Sequence, residues 1–348
     1  MVKAFVFAVP GDLSTPTGGY VYDRRVIAEL PALGWQVEAL NIGEGFPLPS
    51  DAVRATAVAR LAAVPDRCPI VIDGLAFGVL PDAAQVLAPR HPLIALVHHP
   101  LAFETGLGDD EAAAFRASER AALSKAHSVI ATSAATANLL VTEFDVPRAR
   151  LTVVRPGTDR VTVSPRAPRD IVTLLAVGAV VPRKGYDVLI AALSALKALP
   201  WRLIIAGDRS RDPATAAQLD ADIARYTLDQ RIELLGPVAP ERLSALYAEA
   251  DLFVLASRFE GYGMAYTEAI AHGVPVVGTL AGAIVDTVPP GAGVLVPPDD
   301  VDALAAALRR LIENPDERNR FAAGARAATF PTWRESATLF AQVLDGVA

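Results

Sequence analysis

Three times in 348 residues the chain spells one unit: a short apolar run, a glycine-containing loop and a stretch suited to a helix. Asp251-Leu-Phe-Val-Leu255 passes through Ser257-Arg-Phe-Glu-Gly-Tyr-Gly263 into residues 264–272, which Gly273 and Pro275 stop. Residues 171–177 pass through Gly178-Ala-Val-Val-Pro-Arg-Lys-Gly185 into 186–199. Residues 3–9 pass through a turn-rich loop ending in Gly18-Gly19 into 20–33, ended by Gly34. Runs this short and apolar read as buried strands, and helices between them make the sheet parallel. Such a unit also aims the unpaired N–H groups of the helix start at whatever occupies the loop, which favours an anion, typically a phosphate. Further strands are expected at 36–40, 70–72, 93–97, 128–132 and 151–154, then at 202–206, 232–235, 274–278 and 294–296. The alternation predicts an α/β protein of two doubly wound, Rossmann-like domains facing a central cleft. The proline-rich, aperiodic SPRAPRD of 164–170 marks the boundary, giving domains 1–165 and 166–330. A last helix, opened by a capping box of Thr332 and Glu335, occupies 331–348.

Composition bounds the function. A chain 52% hydrophobic and 20% charged folds, and this length accommodates two cores. Its net charge of −7 argues against a nucleic-acid partner. Cys68 is the one cysteine, beside Pro69 and an apolar run, and reads as a buried inert thiol. The first ten residues are too short and strand-like for a signal peptide, and no run reaches the ~20 apolar residues that span a bilayer. The expectation is a cytoplasmic protein, with peripheral membrane contact left open and oligomeric state unread.

Several polar residues sit where a doubly wound sheet binds ligands, at the C-terminal ends of strands. Glu260 and Glu268 flank the start of the helix at 264 with seven residues between them. Each also has a bland reading, Glu260 as a solvated loop acid and Glu268 as an acid favoured by the helix dipole in the first turn. Arg183 and Lys184 precede a helix and suit a diphosphate, or form an ordinary basic turn. The pair Gly18-Gly19 allows a close approach of backbone to ligand, or is a flexible turn. His98 and His99 end the strand 93–97, and Glu104 follows as a candidate acceptor contact or a solvated acid. Asp300 and Asp302 invite a metal reading, but helix capping accounts for them better.

Glu260, the glycine pair Gly261/Gly263, Glu268 and Ala271-His-Gly-Val-Pro-Val-Val277 together resemble the E-x7-E signature of family 4 (group 1) retaining glycosyltransferases, which have the GT-B fold. The resemblance covers most of the second half and the first half thinly. It implies a hexosyltransferase moving a sugar from a UDP- or GDP-sugar to an acceptor with retention, without a metal ion or cofactor. Glu268 would bind the donor ribose and Glu260 the donor sugar, within a donor set of Gly261, Tyr262, Gly263 and Met264. Lys184 and Arg183 would hold the diphosphate, Gly18 and Gly19 would face it, and the backbone at Val238 would meet the base. His98, or else His99, would stand near the donor sugar, and His99 and Glu104 are the acceptor candidates. The catalytic set is then His98, Glu260, Lys184 and Arg183. Departures from the family pattern are Ala179 where many members have arginine, Arg155-Pro156 in a Pro-Asn-Gly-x-Asp turn, and Ala281 and Asp286 in a Gly-Gly-x-x-Glu segment.

Rival readings fare worse. A dinucleotide-binding G-x-G-x-x-G fails at its third glycine in all three candidates, where Leu48, Glu111 and Tyr266 stand. A P-loop fails because Lys184 precedes its glycine. A sugar-nucleotide epimerase and a nucleotide-sugar-binding protein without transfer remain as alternatives, which turnover of donor would separate.

Overall fold

The computed structural model describes residues 3–162 and 169–347. The chain divides into two compact units, Met1–Gly157 with Pro331–Ala348, and Thr158–Phe330. The boundary expected at 165/166 falls on residues 163–168, outside the described residues.

The first unit is built on a six-stranded parallel sheet: β1 (Lys3–Val9), β2 (Trp35–Asn41), β3 (Ile70–Asp73), β4 (Leu93–Val97), β5 (Ser128–Ala131) and β6 (Leu151–Val153). Its order is β2-β1-β3-β4-β5-β6. β3 and β4 are buried along their whole length, because helices cover both faces, and so they read as unbroken apolar runs. The final helix, Trp333–Asp345, belongs to this unit and carries the expected Thr332–Glu335 capping box. Its Phe340 stacks on Phe7 of β1, ring centroids 6.1 Å apart.

The second unit repeats the plan with β7 (Val172–Val177), β8 (Trp201–Ala206), β9 (Ile232–Gly236), β10 (Leu252–Val254), β11 (Val276–Thr279) and β12 (Gly293–Val296). The sheet is parallel, in the order β12-β11-β10-β7-β8-β9. Asp300 caps the helix Val301–Glu313 by accepting from Ala303 N at 2.8 Å, the capping role expected of it. Each sheet has one place where the strand order reverses, between β1 and β3 and between β7 and β10. Loops leaving the C-terminal ends of those strands diverge, and the gap between them is the usual ligand crevice of such sheets.

Two expected helices are shorter. The stretch 20–33 is a helix over Gly18–Glu29 and then a 3₁₀ turn at Leu30–Leu33, where Pro31 brings no N–H to continue the ladder. The helix from Tyr186 ends at Ser194 rather than 199. Several helices had no expectation, among them Asp51–Ala62 and Pro315–Ala327. Each of these two buries only two side chains, Ala57 and Leu61 in one and Ala322 and Ala325 in the other, so neither shows an apolar stripe. Among the described residues no helix is long and apolar enough to cross a membrane.

Candidate functional site

In the second unit the loops after β7 and β10 bring Lys184 and Glu260 together at the reversal point. The loop after β7 tightens into one 3₁₀ turn, Pro182–Lys184, and leaves it through Gly185 at φ +65°. A Cβ on Gly185 would stand 2.0 Å from the carbonyl oxygen of Ala256, so only glycine lets this turn press against the loop after β10. Arg258 N–H donates to the carbonyl of Arg183 at 2.8 Å and ties the two loops. Arg258 also bridges Asp187 and Asp299, each at 2.7 Å.

Glu260 is 6% exposed. Its carboxylate accepts from Lys184 Nζ at 2.6 Å, Ser257 Oγ at 2.7 Å and Arg183 at 3.3 Å. Burial alone would raise its pKa, but the two cations outweigh burial and hold it at about 2. Its backbone is fixed as closely. Ala283 N–H donates to the Glu260 carbonyl at 2.9 Å, and Gly282 lies flat against that peptide.

The helix Met264–Ala271 opens on Gly263 at φ +90°, and no side chain caps it. Gly261 and Tyr262 are buried just before it, and Tyr262 O accepts from the Thr287 hydroxyl at 2.6 Å. Met264 is half-buried at the helix start. Glu268 is the fifth helical residue, just past the first turn, so the alternative reading of it as an acid favoured by the helix dipole is weakened. It accepts from Tyr247 OH at 2.9 Å, and Tyr247 stacks on His272 at 5.0 Å. Val238 follows β9, the edge strand two places from β7, and is half-buried against the core.

In the first unit Gly18 and Gly19 are the first two residues of a helix rather than a loop before it, because the Thr17 hydroxyl caps that helix. A Cβ on Gly19 would lie 3.2 Å from His98 Cδ2, whereas one on Gly18 would meet nothing. His98 Nε2 lies 3.2 Å from Asp23 Oδ1 and 3.7 Å from Asp73 Oδ2, at the β1/β3 reversal. Burial pulls the imidazole pKa down, but the contacts with Asp23 and Asp73 outweigh burial and raise it. Burial, then Asp23, push the Asp73 carboxyl up to about 7. His99 and Glu104 pair with each other at 3.0 Å.

The structure thus joins Arg183, Lys184 and Glu260 in one cluster, with Glu268 down the following helix, and sets His98 beside Gly19. It adds four residues that the sequence did not single out: Ser257, Tyr247, Asp23 and Glu119. Glu119 is buried and accepts from Leu101 N at 2.8 Å and Ala102 N at 3.1 Å, which fixes the turn after His98-His99. An acid within a helix carries no mark of which face it lies on, so Asp23 and Glu119 had no readable signal.

The family profile described as "Glycosyl transferases group 1" matches residues 162–328, and "Glycosyltransferase Family 4" matches 21–161. The chain is 28% identical over 299 residues to the MMP alpha-(1->4)-mannosyltransferase of Mycolicibacterium hassiacum, covering 79% of this chain and 69% of that protein. It is 31% identical over 255 residues to a D-inositol 3-phosphate glycosyltransferase of Nocardioides sp., covering 65% of this chain and 54% of the relative. The match therefore spans about half the length of that second relative. Among solved structures, sucrose-phosphate synthase from Thermosynechococcus elongatus superposes with a TM-score of 0.82 at 21% identity, covering 99% of each chain. Anabaena HepE, solved with UDP and glucose, superposes with a TM-score of 0.76 at 19% identity, covering 97% of this chain and 99% of HepE. These structures share the GT-B fold expected from the sequence.

Proposed function

Since the chain belongs to the group 1, family 4 glycosyltransferases, we propose that it moves a hexose from a UDP- or GDP-sugar to an acceptor with retention and without a metal ion. The observation that carries this reading is the meeting of Lys184, Arg183 and Glu260 at the β7/β10 reversal, ahead of a helix start that no side chain caps. A diphosphate held there gains two cations and the positive end of a helix, and leaves with its charge already opposed. Glu260 then takes hydroxyls of the donor sugar and Glu268 those of the ribose, because a carboxylate accepts from two adjacent hydroxyls. With no protein nucleophile, the departing diphosphate takes the acceptor proton on the same face, and the protein contributes positioning. His98 faces the donor sugar, and His99 with Glu104 the acceptor. HepE, solved with a UDP-sugar, supports a nucleotide donor.

Thermal unfolding with UDP, GDP and ADP, each with and without chelator, tests the donor class. A nucleotide at a hundred times its dissociation constant adds about 2.7 kcal/mol of stability. One nucleotide is expected to raise Tm equally with and without chelator. A shift that chelator removes would overturn metal independence, and donor that never turns over with any acceptor would favour a binding protein.

Glu268→Ala is expected to weaken donor binding by about 10–100-fold, the range of one lost charge-assisted pair. Glu268→Gln keeps an acceptor for Tyr247 OH and is expected to melt like the parent while still binding donor poorly. Equal loss of unliganded stability in both variants would make Glu268 a structural residue only.

A further inference from the structure

We propose that Asp23 and Asp73 are positioning residues for His98, gripping the ring at Nε2 so that Nδ1 is held as a hydrogen-bond donor. The proposal rests on the reading above that His98 faces the donor sugar, to whose hydroxyls that donor would point.

Asp23 is fully buried on the helix Gly18–Glu29 and Asp73 is 3% exposed at the end of β3. Asp23 Oδ1 meets His98 Nε2 at 3.2 Å, while Asp23 Oδ2 is buried with no hydrogen-bond partner. Asp73 Oδ1 accepts from Leu75 N at 2.7 Å, and its Oδ2 stands 3.7 Å from the same Nε2. The three side chains meet within 4.8 Å. Two ionised carboxylates this close and this buried repel each other, and an ionised carboxylate only accepts, so neither could satisfy the other. One proton on Asp73 resolves both problems. It gives Asp23 Oδ2 a donor and leaves a single negative charge on the pair. A charged imidazolium balances that charge, whereas a neutral ring would leave a buried net charge of −1.

Among the described residues the ring's surroundings offer no other titrating partner. Tyr22 meets it edge-on at 5.3 Å, with its hydroxyl already donated to the Val154 carbonyl. The Thr132 hydroxyl, beyond β5, donates to the backbone carbonyl of His98 at 3.2 Å. His99 turns to Glu104. Among the described residues Nδ1 has no hydrogen-bond partner, and the side chain is 21% exposed, so Nδ1 is the polar atom left for a ligand. On a neutral ring whose Nε2–H is given to Asp23, Nδ1 would be an acceptor. On the charged ring it donates.

The experiment is an NMR titration of the histidine side chains in the full chain, with His98→Gln used only to assign the His98 signals. His98 is expected to stay protonated to a pH above the ordinary histidine value. Asp23→Asn removes the charge that holds the proton, so the midpoint is expected to fall by about one unit or more. Asp73→Asn is the sharper variant. Its amide can donate to Asp23 Oδ2 as the shared proton does, so the midpoint is expected to stay near the parent's. The alkaline limb of donor turnover should follow the NMR midpoint in each variant. A parent midpoint at or below the ordinary value, or an Asp73→Asn midpoint that falls as far as that of Asp23→Asn, would overturn the proposal. So would a stoichiometric divalent ion retained by the parent and lost from Asp23→Asn. If Asp23→Asn fails to fold, the parent and Asp73→Asn titrations still decide. Normal ring titrations with no turnover of any donor would defeat the transferase reading and leave the carboxylate–imidazole network standing.

Discussion

Lys184→Ala is expected to lower donor turnover by about 10²–10³-fold, the loss typical of one preorganised charge at a developing anion. Arg183 remains, but it reaches Glu260 at 3.3 Å where Lys184 reaches it at 2.6 Å, so it is the weaker partner. The variant also strips Glu260 of its closest cation. Burial, which raises the Glu260 pKa, then meets less opposition, and the carboxyl titrates higher than its present value of about 2. A depressed carboxyl adds stability that is complete above its unfolded pKa and is lost as pH falls through the folded value. In the parent that loss spans the ordinary glutamate range down to about 2, whereas in Lys184→Ala it is smaller and is complete at a higher pH. Steady-state kinetics, nucleotide affinity and acid unfolding on the same two proteins check this. Turnover unchanged in Lys184→Ala would sink the assignment of the diphosphate site.

Gly282→Ala is the second large effect. A methyl there would lie 2.3 Å from the Glu260 carbonyl oxygen and 2.9 Å from its nitrogen, on a residue at φ +55°. Cβ is fixed to the backbone, so no rotamer relieves the collision, and the segment that carries Glu260 must move. Overpacking and left-handed strain together are expected to cost about 2–5 kcal/mol, on the order of 10 °C in Tm. Turnover should fall with it, because Glu260 would no longer stand over Lys184. Calorimetry of the variant checks the first claim, and an unchanged Tm would show that the loop has slack the structure lacks.

Much of the fold was legible because parallel strands buried on both faces leave unbroken apolar runs, as in β4 and β10, and because glycine marks the loop exits. The helices Asp51–Ala62 and Pro315–Ala327 were not, since a helix that buries two alanine- or leucine-sized side chains imposes no periodicity. Lys184, Arg183 and Glu260 were legible as residues worth watching, but not as one ion cluster. Seventy-six residues separate Lys184 from Glu260, and only the pairing of β7 with β10 brings them together. The helix was expected to begin at Met264 and does, which puts Glu268, read as near the first turn, one residue beyond it. Asp23 left no trace, since its meaning depends on which face of its helix turns toward β3 and β4.

Glu260 also decides how the two cations appear to solution. Lys184 and Arg183 carry two positive charges, and the carboxylate between them acts as a built-in counterion that leaves the cluster at about +1. Inorganic phosphate or sulfate therefore meets a muted attraction rather than an open basic patch. Under the proposed function, a donor gains full use of the cations only when its sugar and ribose draw Glu260 and Glu268 into hydrogen bonds of their own. Discrimination against simple anions follows from that arrangement, and donor affinity should depend less steeply on ionic strength than the pair of basic residues alone would suggest.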